Sequence, residues 1–212
     1  MLERFFGDEA RARIEAAVRE AEARSTGQIV PVVVERSDGY PEARFRGALI
    51  GAALATMVVL VLRLPLTLAE LALLQLGAGL AGALLALWDP LERVLAGRAE
   101  IALATHDRAL RAFHEHGLHR TAAGTGVLVF ASLFERRAVV MGDHGIHARM
   151  GEEAWRRAVD ALTAGMRRED PAGGFCEAIA LCGGALAEHF PRPASAPAQE
   201  NELPDALRTS RT

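Results

Sequence analysis

The sequence predicts an α/β fold: a three-layer α/β/α sandwich with a small mixed sheet, interrupted by a two-helix transmembrane hairpin. Three observations predict it. Gly47–Trp88 is nearly free of charge, with only Arg63 and Glu70 ionic between those ends, inside an otherwise charge-rich chain. Gln28–Glu35 (QIVPVVVE) is a β-branched run too apolar for a half-exposed strand, as in a sheet covered on both faces. Thr125–Leu133 and Arg137–Gly142 are two further strand-like runs separated by three residues, which is hairpin spacing.

Along the chain, Asp8–Arg24 places Ala10, Ile14, Ala17, Val18 and Ala21 at helical spacing, with Asp8 as the expected N-cap and Gly27 as the end. The first strand follows. Its Pro31 removes a ladder donor and so predicts a sheet edge or a bulge. Ser37–Pro41 is a turn cluster. The apolar block then divides around Pro65 into helices at about 47–63 and 68–88, each close to the roughly 20 residues that cross a hydrocarbon core. Arg46 and Arg63 can snorkel to the interfaces, and Trp88 suits the headgroup level. Asp89-Pro90 terminates the block. Leu91–Gly117 reads as helix with a break near Gly97, and two more helices are expected at Glu152–Arg168 and Gly173–Phe190.

The domain organisation that follows is a discontinuous α/β/α domain (1–45 plus 91–190), a hairpin (46–90) and a disordered Pro/Ala/Ser-rich tail (191–212). Removing the hairpin leaves about 145 residues, enough for one core. The net charge of −3 argues against a nucleic-acid surface. Cys176 and Cys182, six apart in a helix, are too distant for a disulfide and fit a reducing compartment. Met1–Asp8 lacks a signal-peptide pattern. Arg36, Arg44 and Arg46 precede the hairpin and Arg93 and Arg98 follow it, against Arg63 alone in its turn. The positive-inside bias then places both flanks in the cytoplasm of a multi-pass inner-membrane protein, with the lipid bilayer as its first partner.

The chain has no phosphate-binding Gly-rich loop, no G-x-S-x-G and no zinc spacing. His114-Glu115-His116 with His119 could hold a metal from one helix face, or form a solvated helix end. Asp143, just past a strand and flanked by Gly142 and Gly145, could bind a hard cation such as calcium, or close an Asx turn. Asp38 and Glu135 could complete a metal site with Asp143 only if folding gathers them. Gly47, Gly51 and Ala55, and Ala78, Gly82 and Ala86, repeat small residues every fourth position, which permits close helix contact and a homo-oligomer through these faces.

Four stretches together resemble the TPM domain family. They are Ala21–Val30 at the end of the first helix, Thr125–Arg137, Asp143-His144-Gly145-Ile146 with the helix bearing Trp155, and the terminal helix closing on His189-Phe190-Pro191. The layout matches its subset with a membrane hairpin after the first strand. The resemblance implies an α/β/α sandwich. It also implies one of several roles: calcium binding through loop carboxylates, acid phosphatase activity, or accessory work for membrane complexes. Relatives read Ala-Asp-Arg-Gly-Ile where this chain has Gly142 and His144 around Asp143. The expected function is a membrane-tethered, non-catalytic accessory or interaction factor for membrane proteins; the alternative is a metal-assisted acid phosphatase-type hydrolase.

Overall fold

The structure is a computed structural model that describes residues 2–121, 124–147, 149, 152–192 and 203–210. Its elements run α1 (Leu2–Phe5), α2 (Asp8–Ala23), β1 (Gln28–Val34), α3 (Pro41–Leu62), α4 (Leu68–Leu85), α5 (Asp89–Ala96) and α6 (Arg98–Glu115). They continue with a 3-10 turn at Leu118–Arg120, β2 (Gly126–Ser132), β3 (Arg137–Gly142), α7 (His144–His147), α8 (Glu152–Arg167), α9 (Pro171–His189) and β4 (Arg208–Ser210). Two compact units emerge, one from 1–37 with 104–212 and one from 38–103.

In the first unit the four strands form one mixed sheet in the order β3-β2-β1-β4. β1 and β2 pair in parallel along their whole length, from Gln28 opposite Gly126 to Val34 opposite Ser132, although the hairpin separates them in sequence. β2 and β3 pair antiparallel. Every residue of β1 and β2 is buried, which explains their unbroken apolar character. Alternate side chains feed two cores. Ile29, Val33, Val127 and Val129 meet Ile14 and Val18 of α2, Leu162 of α8 and Phe175, Ile179 and Leu186 of α9. Val30, Val32, Leu128 and Phe130 meet Ala109, Ala112 and Phe113 of α6 and Leu118. Helices thus cover both faces of the sheet.

The end of the chain departs from expectation. Arg208–Ser210 forms a fourth strand, parallel to β1 at Val32–Val34, and Pro191 bridges to Ser25. Residues 193–202 of the expected disordered tail lie outside the described residues. Pro31 is tolerated by register. The Gln28 amide donates to the Thr125 carbonyl on the β2 side, whereas the Glu35 amide donates to Ser210 on the β4 side. Pro31 shares parity with Glu35, so its missing donor faces the β4 side, one residue before β4 begins opposite Val32.

In the second unit, α3 begins at Pro41, earlier than the expected 47, because a proline at the first turn has no amide to waste. Two apolar helices result, with mean hydropathy 2.1 over the best window of α3 and 1.7 over that of α4. Thr67 and Glu70 form a capping box at the start of α4, so Glu70 has a structural partner at the mouth of the helix. Glycines set the contact between them. A Cβ on Gly51 would fall 2.2 Å from the Ala78 carbonyl oxygen, and one on Gly82 would fall 2.2 Å from that of Gly47. Gly47, Gly51, Ala78, Gly82 and Ala86 therefore join α3 to α4 of the same chain. Gln75 Nε2 also donates to Thr56 Oγ1 across the pair at 2.7 Å. The break expected near Gly97 is present: Gly97, with φ 85°, separates α5 from α6. Arg46 ties this corner by donating to the Leu95 and Ala96 carbonyls at 2.6 and 2.9 Å and to Glu100.

Candidate functional site

Open α/β sheets bind ligands beyond the carboxyl ends of their parallel strands. In this chain that end, past Val34 and Ser132, is closed by its own side chains. Glu135 is 6% exposed. Its Oε1 accepts the Ser37 amide at 2.8 Å, and its Oε2 accepts the Ser132 hydroxyl. Glu35 accepts the Leu2 amide at 3.2 Å. The Arg36 guanidinium lies 3.7 Å over the Phe134 ring. Ser37 Oγ is buried without a hydrogen-bond partner, too enclosed to meet a substrate. Glu135 thus fastens the exit of β1 to the turn after β2.

Asp143 occupies the opposite end. Its amide donates to the Gly126 carbonyl at 2.9 Å and its carbonyl accepts the Ile146 amide at 3.0 Å. Oδ1 accepts the next amide, of His144, at 2.6 Å. Gly124, at φ 62°, packs beside it, and a Cβ there would lie 3.6 Å from Oδ2. This is local turn chemistry around a half-buried carboxylate. Val127 pairs with Gly142 beside Asp143, and Ser132 pairs with Arg137 beside Glu135. Five strand steps separate those pairs, roughly 17 Å at a strand's rise per residue. One calcium ion, whose ligands stand at about 2.3–2.6 Å, cannot take both carboxylates. Asp38 is exposed, accepts the Gly39 amide at 2.6 Å and belongs to the second unit. The expected Asp143–Asp38–Glu135 set is therefore not assembled, because the hairpin that links Glu135 to Asp143 is fully extended between them.

The histidine cluster is likewise engaged. The rings of His114 and His119 stand 5.1 Å apart. His114 Nδ1 meets the Leu110 carbonyl at 2.8 Å, and Arg120 Nε donates to His119 Nε2 at 3.2 Å. Burial, with Arg208 and Arg108 nearby, pushes the His116 pKa down. Among the described residues, no three His, Cys, Asp or Glu side chains gather as a metal centre requires. Both cysteines are free thiols, and burial pushes Cys182 up to about 12, so it is no nucleophile. A groove of about 470 Å³ runs between α8 and α9. Its lining, which includes Glu153, Arg157, Leu181 and Glu188, holds no Ser, Cys or His.

A comparison with protein families matches residues 98–185 to the model of the TPM domain. Residues 98–185 are similar to a TPM domain. That stretch holds α6, β2, β3, α8 and most of α9, the body of the first unit. Among solved structures it resembles the NMR structure of the BA42 protein from the psychrophilic bacterium Bizionia argentinensis. The TM-score is 0.61 at 18% identity, with 99% of each chain covered. That likeness speaks for the fold. No curated protein matches the chain.

One group escaped the sequence reading. Glu22 looks like one more solvated charge on α2, yet burial pushes it up to about 7, and its Oε1 accepts the Ile29 amide at 2.7 Å. The signal was its spacing: Ile14, Val18 and Glu22 recur every fourth residue on the inward stripe.

Proposed function

We propose that this chain is a membrane-tethered TPM module that acts without catalysis, as an accessory or interaction factor for membrane proteins. The observation that carries the tether is the surface of the apolar helices. Leu60, Leu68, Leu73, Leu76 and Leu80 stand 64–85% exposed, whereas the core helix of a soluble protein buries such residues. An apolar surface that large calls for lipid or protein around it. The helices are long enough to cross a bilayer. The arginine bias around them favours the inner membrane with the TPM domain on the cytoplasmic side.

The non-catalytic half of the reading rests on the chemistry of the first unit. Glu135 is consumed as a strand-end tie, Asp143 as a turn carboxylate, and Cys182 is held as a thiol. Glu135 and Cys182 are buried and the Asp143 carboxylate closes its own turn, so none of the three is posed as a nucleophile open to substrate. An accessory role then leaves the work to surfaces of the domain, held close to a membrane partner.

Two measurements test this. Alkaline carbonate extraction of native membranes should leave the chain in the pellet, and its release to the supernatant would remove the tether. Purified protein in lipid nanodiscs should hydrolyse an aryl phosphate with calcium or magnesium no faster than Asp143→Asn. Turnover that is lost in that variant would overturn the non-catalytic reading.

A further inference from the structure

Both ends of α5 lie at one level of α3. Just before its start, Ala86 closes α4 beside Gly47, where an added Cβ would fall 2.9 Å from the Ala86 Cβ. At its finish, the Leu95 and Ala96 carbonyls accept from the guanidinium of Arg46, the residue next to Gly47, at 2.6 and 2.9 Å. Gly97 lies against the same guanidinium, and a Cβ there would stand 3.9 Å from Nη1. Had Asp89–Ala96 continued the line of α4, Ala96 would stand roughly 15 Å beyond Ala86 at a helix's rise per residue. The chain turns instead at Trp88, whose backbone is extended at φ −78° and ψ 119°, and Pro90 sits in the first turn of the new helix. α5 thus runs across the end of the hairpin, in the plane that a bilayer surface would take about α3 and α4.

The two sides of α5 differ. Glu92 and Ala96 are its buried positions. Pro90 and Val94, one turn apart, are exposed, Val94 by 76%. Leu87 and Trp88, just ahead of the helix, are exposed as well, Trp88 by 68%. Outside α3, α4 and their connection, Leu87, Trp88, Val94, Leu103 and Leu110 are the large apolar side chains exposed among the described residues. The first four belong to the hairpin unit and gather where the chain leaves the apolar helices. Exposed Phe45 marks the same level on α3. Charges stand among them: Arg44, Asp89 and Arg98 are exposed and Arg93 is half-buried. A helix end facing water would turn its charges outward and its valine inward. Aromatic rings and aliphatic side chains mixed with long arginine stems suit the boundary between headgroups and acyl chains. The charges are of both signs, so apolar burial is what draws this surface to lipid.

We propose that α5, with Leu87 and Trp88 ahead of it, is an interfacial helix that lies in the membrane surface and buries Leu87, Trp88 and Val94 at the boundary of headgroups and acyl chains. This rests on the reading of α3 and α4 as bilayer spans, and it adds a second lipid contact, along the membrane rather than through it. The contact fixes the depth of the hairpin. Arg46, bonded to the α5 carbonyls, passes that constraint to α3.

Spin labels at Val94 and at Leu73 of the full chain in lipid vesicles test this, with Arg137 as the water-facing reference. Val94 is exposed, so its replacement should leave the fold intact. A water-soluble nickel chelate should collide severalfold less with the Val94 label than with the Arg137 label, while oxygen still reaches it. The Val94 label should lie about 5–10 Å into the boundary, shallower than the Leu73 label. A Val94 label as open to nickel as Arg137, with Leu73 still facing lipid, overturns the interfacial helix and leaves the spanning hairpin standing. A Leu73 label open to nickel removes both. A Val94 label sheltered from oxygen and nickel alike would mean that protein, a second copy included, covers α5, and this too overturns the proposal.

Discussion

Phe130, Leu128, Ile179 and Leu186 in the sheet unit are wholly buried, whereas Leu60, Leu68, Leu73 and Leu76 in the hairpin are 69–85% exposed. Both regions are apolar, and both bring backbones together at glycine, Gly183 against Ala21 in one and Gly51 against Ala78 in the other. The difference lies in what the apolar side chains face. In the sheet unit they interdigitate between layers, and their burial drives folding in water. In the hairpin the small residues make the contact and the large ones point away, the arrangement that suits a solvent as apolar as leucine. Hydrophobic content thus says little by itself; the side of the helix that carries the bulk decides what medium surrounds it.

Substitutions can break this comparison. The largest effect should come from Phe175→Ala, which removes a fully buried ring that stacks edge-on against Phe6 at 5.8 Å. A loss of about 3–5 kcal/mol is expected for such a site, read by denaturant unfolding followed in the sheet unit. Leu73→Ala in the hairpin should leave that same transition unchanged, and an equal loss would mean that the hairpin leucines also pack in a water-facing core.

Glu135→Ala comes next. It strips the Ser37 amide and the Ser132 hydroxyl of their acceptor in a buried place. Roughly 1–3 kcal/mol per orphaned group is expected, against a near-neutral result for Asp143→Asn, whose carboxylate makes only a local turn contact. Gly82→Leu should cost about 1–3 kcal/mol or more in the hairpin, seen as lost helix–helix protection from proteolysis in nanodiscs, because the new side chain meets the Gly47 carbonyl. Thr67→Ala removes the capping-box hydroxyl and should cost about 1 kcal/mol.

The smallest effect sharpens the comparison within the sheet unit. The His116 pKa is lowered by burial and by the Arg208 and Arg108 charges, so the unfolded chain takes up its proton first. Stability should be full above the ordinary histidine value of 6.5 and fall as pH drops below it. Glu22 has the reverse sign, losing stability as pH rises toward about 7. Between pH 4.5 and 6.5 the two contributions therefore oppose each other, and the wild type should vary little with pH. His116→Gln should leave the Glu22 contribution alone, so that stability falls as pH rises through this range, and a fall with decreasing pH in that variant would contradict the assignment.

Much of this fold is legible in the amino-acid order because burial on both faces leaves a pattern. β1 and β2 are apolar runs that only a covered sheet explains, and Gly97 and Pro65 punctuate the helices where backbone geometry demands it. The features that escaped depend on partners far away in sequence. β4 is Arg-Thr-Ser, with no apolar alternation, and is a strand because β1 offers it a backbone ladder. Asp8 reads as a cap, yet Gly7 takes the cap position and α2 has no side-chain cap. Glu135 reads as a hairpin-turn charge, whereas it holds the Ser37 amide from across the sheet. The proposed Asp143 ligand set could not be judged from composition, because only strand register reveals that Asp143 and Glu135 lie at opposite ends of one hairpin.

The tether is tested most directly by spin labels introduced at Leu54, Leu73 and Leu80 of the full chain in lipid vesicles, with Arg137 of the sheet unit as the control. The account predicts high collision with oxygen and little with a water-soluble nickel chelate at the three hairpin sites, and the reverse at Arg137. Nickel accessibility at the hairpin sites equal to that at Arg137 would contradict a bilayer-spanning hairpin.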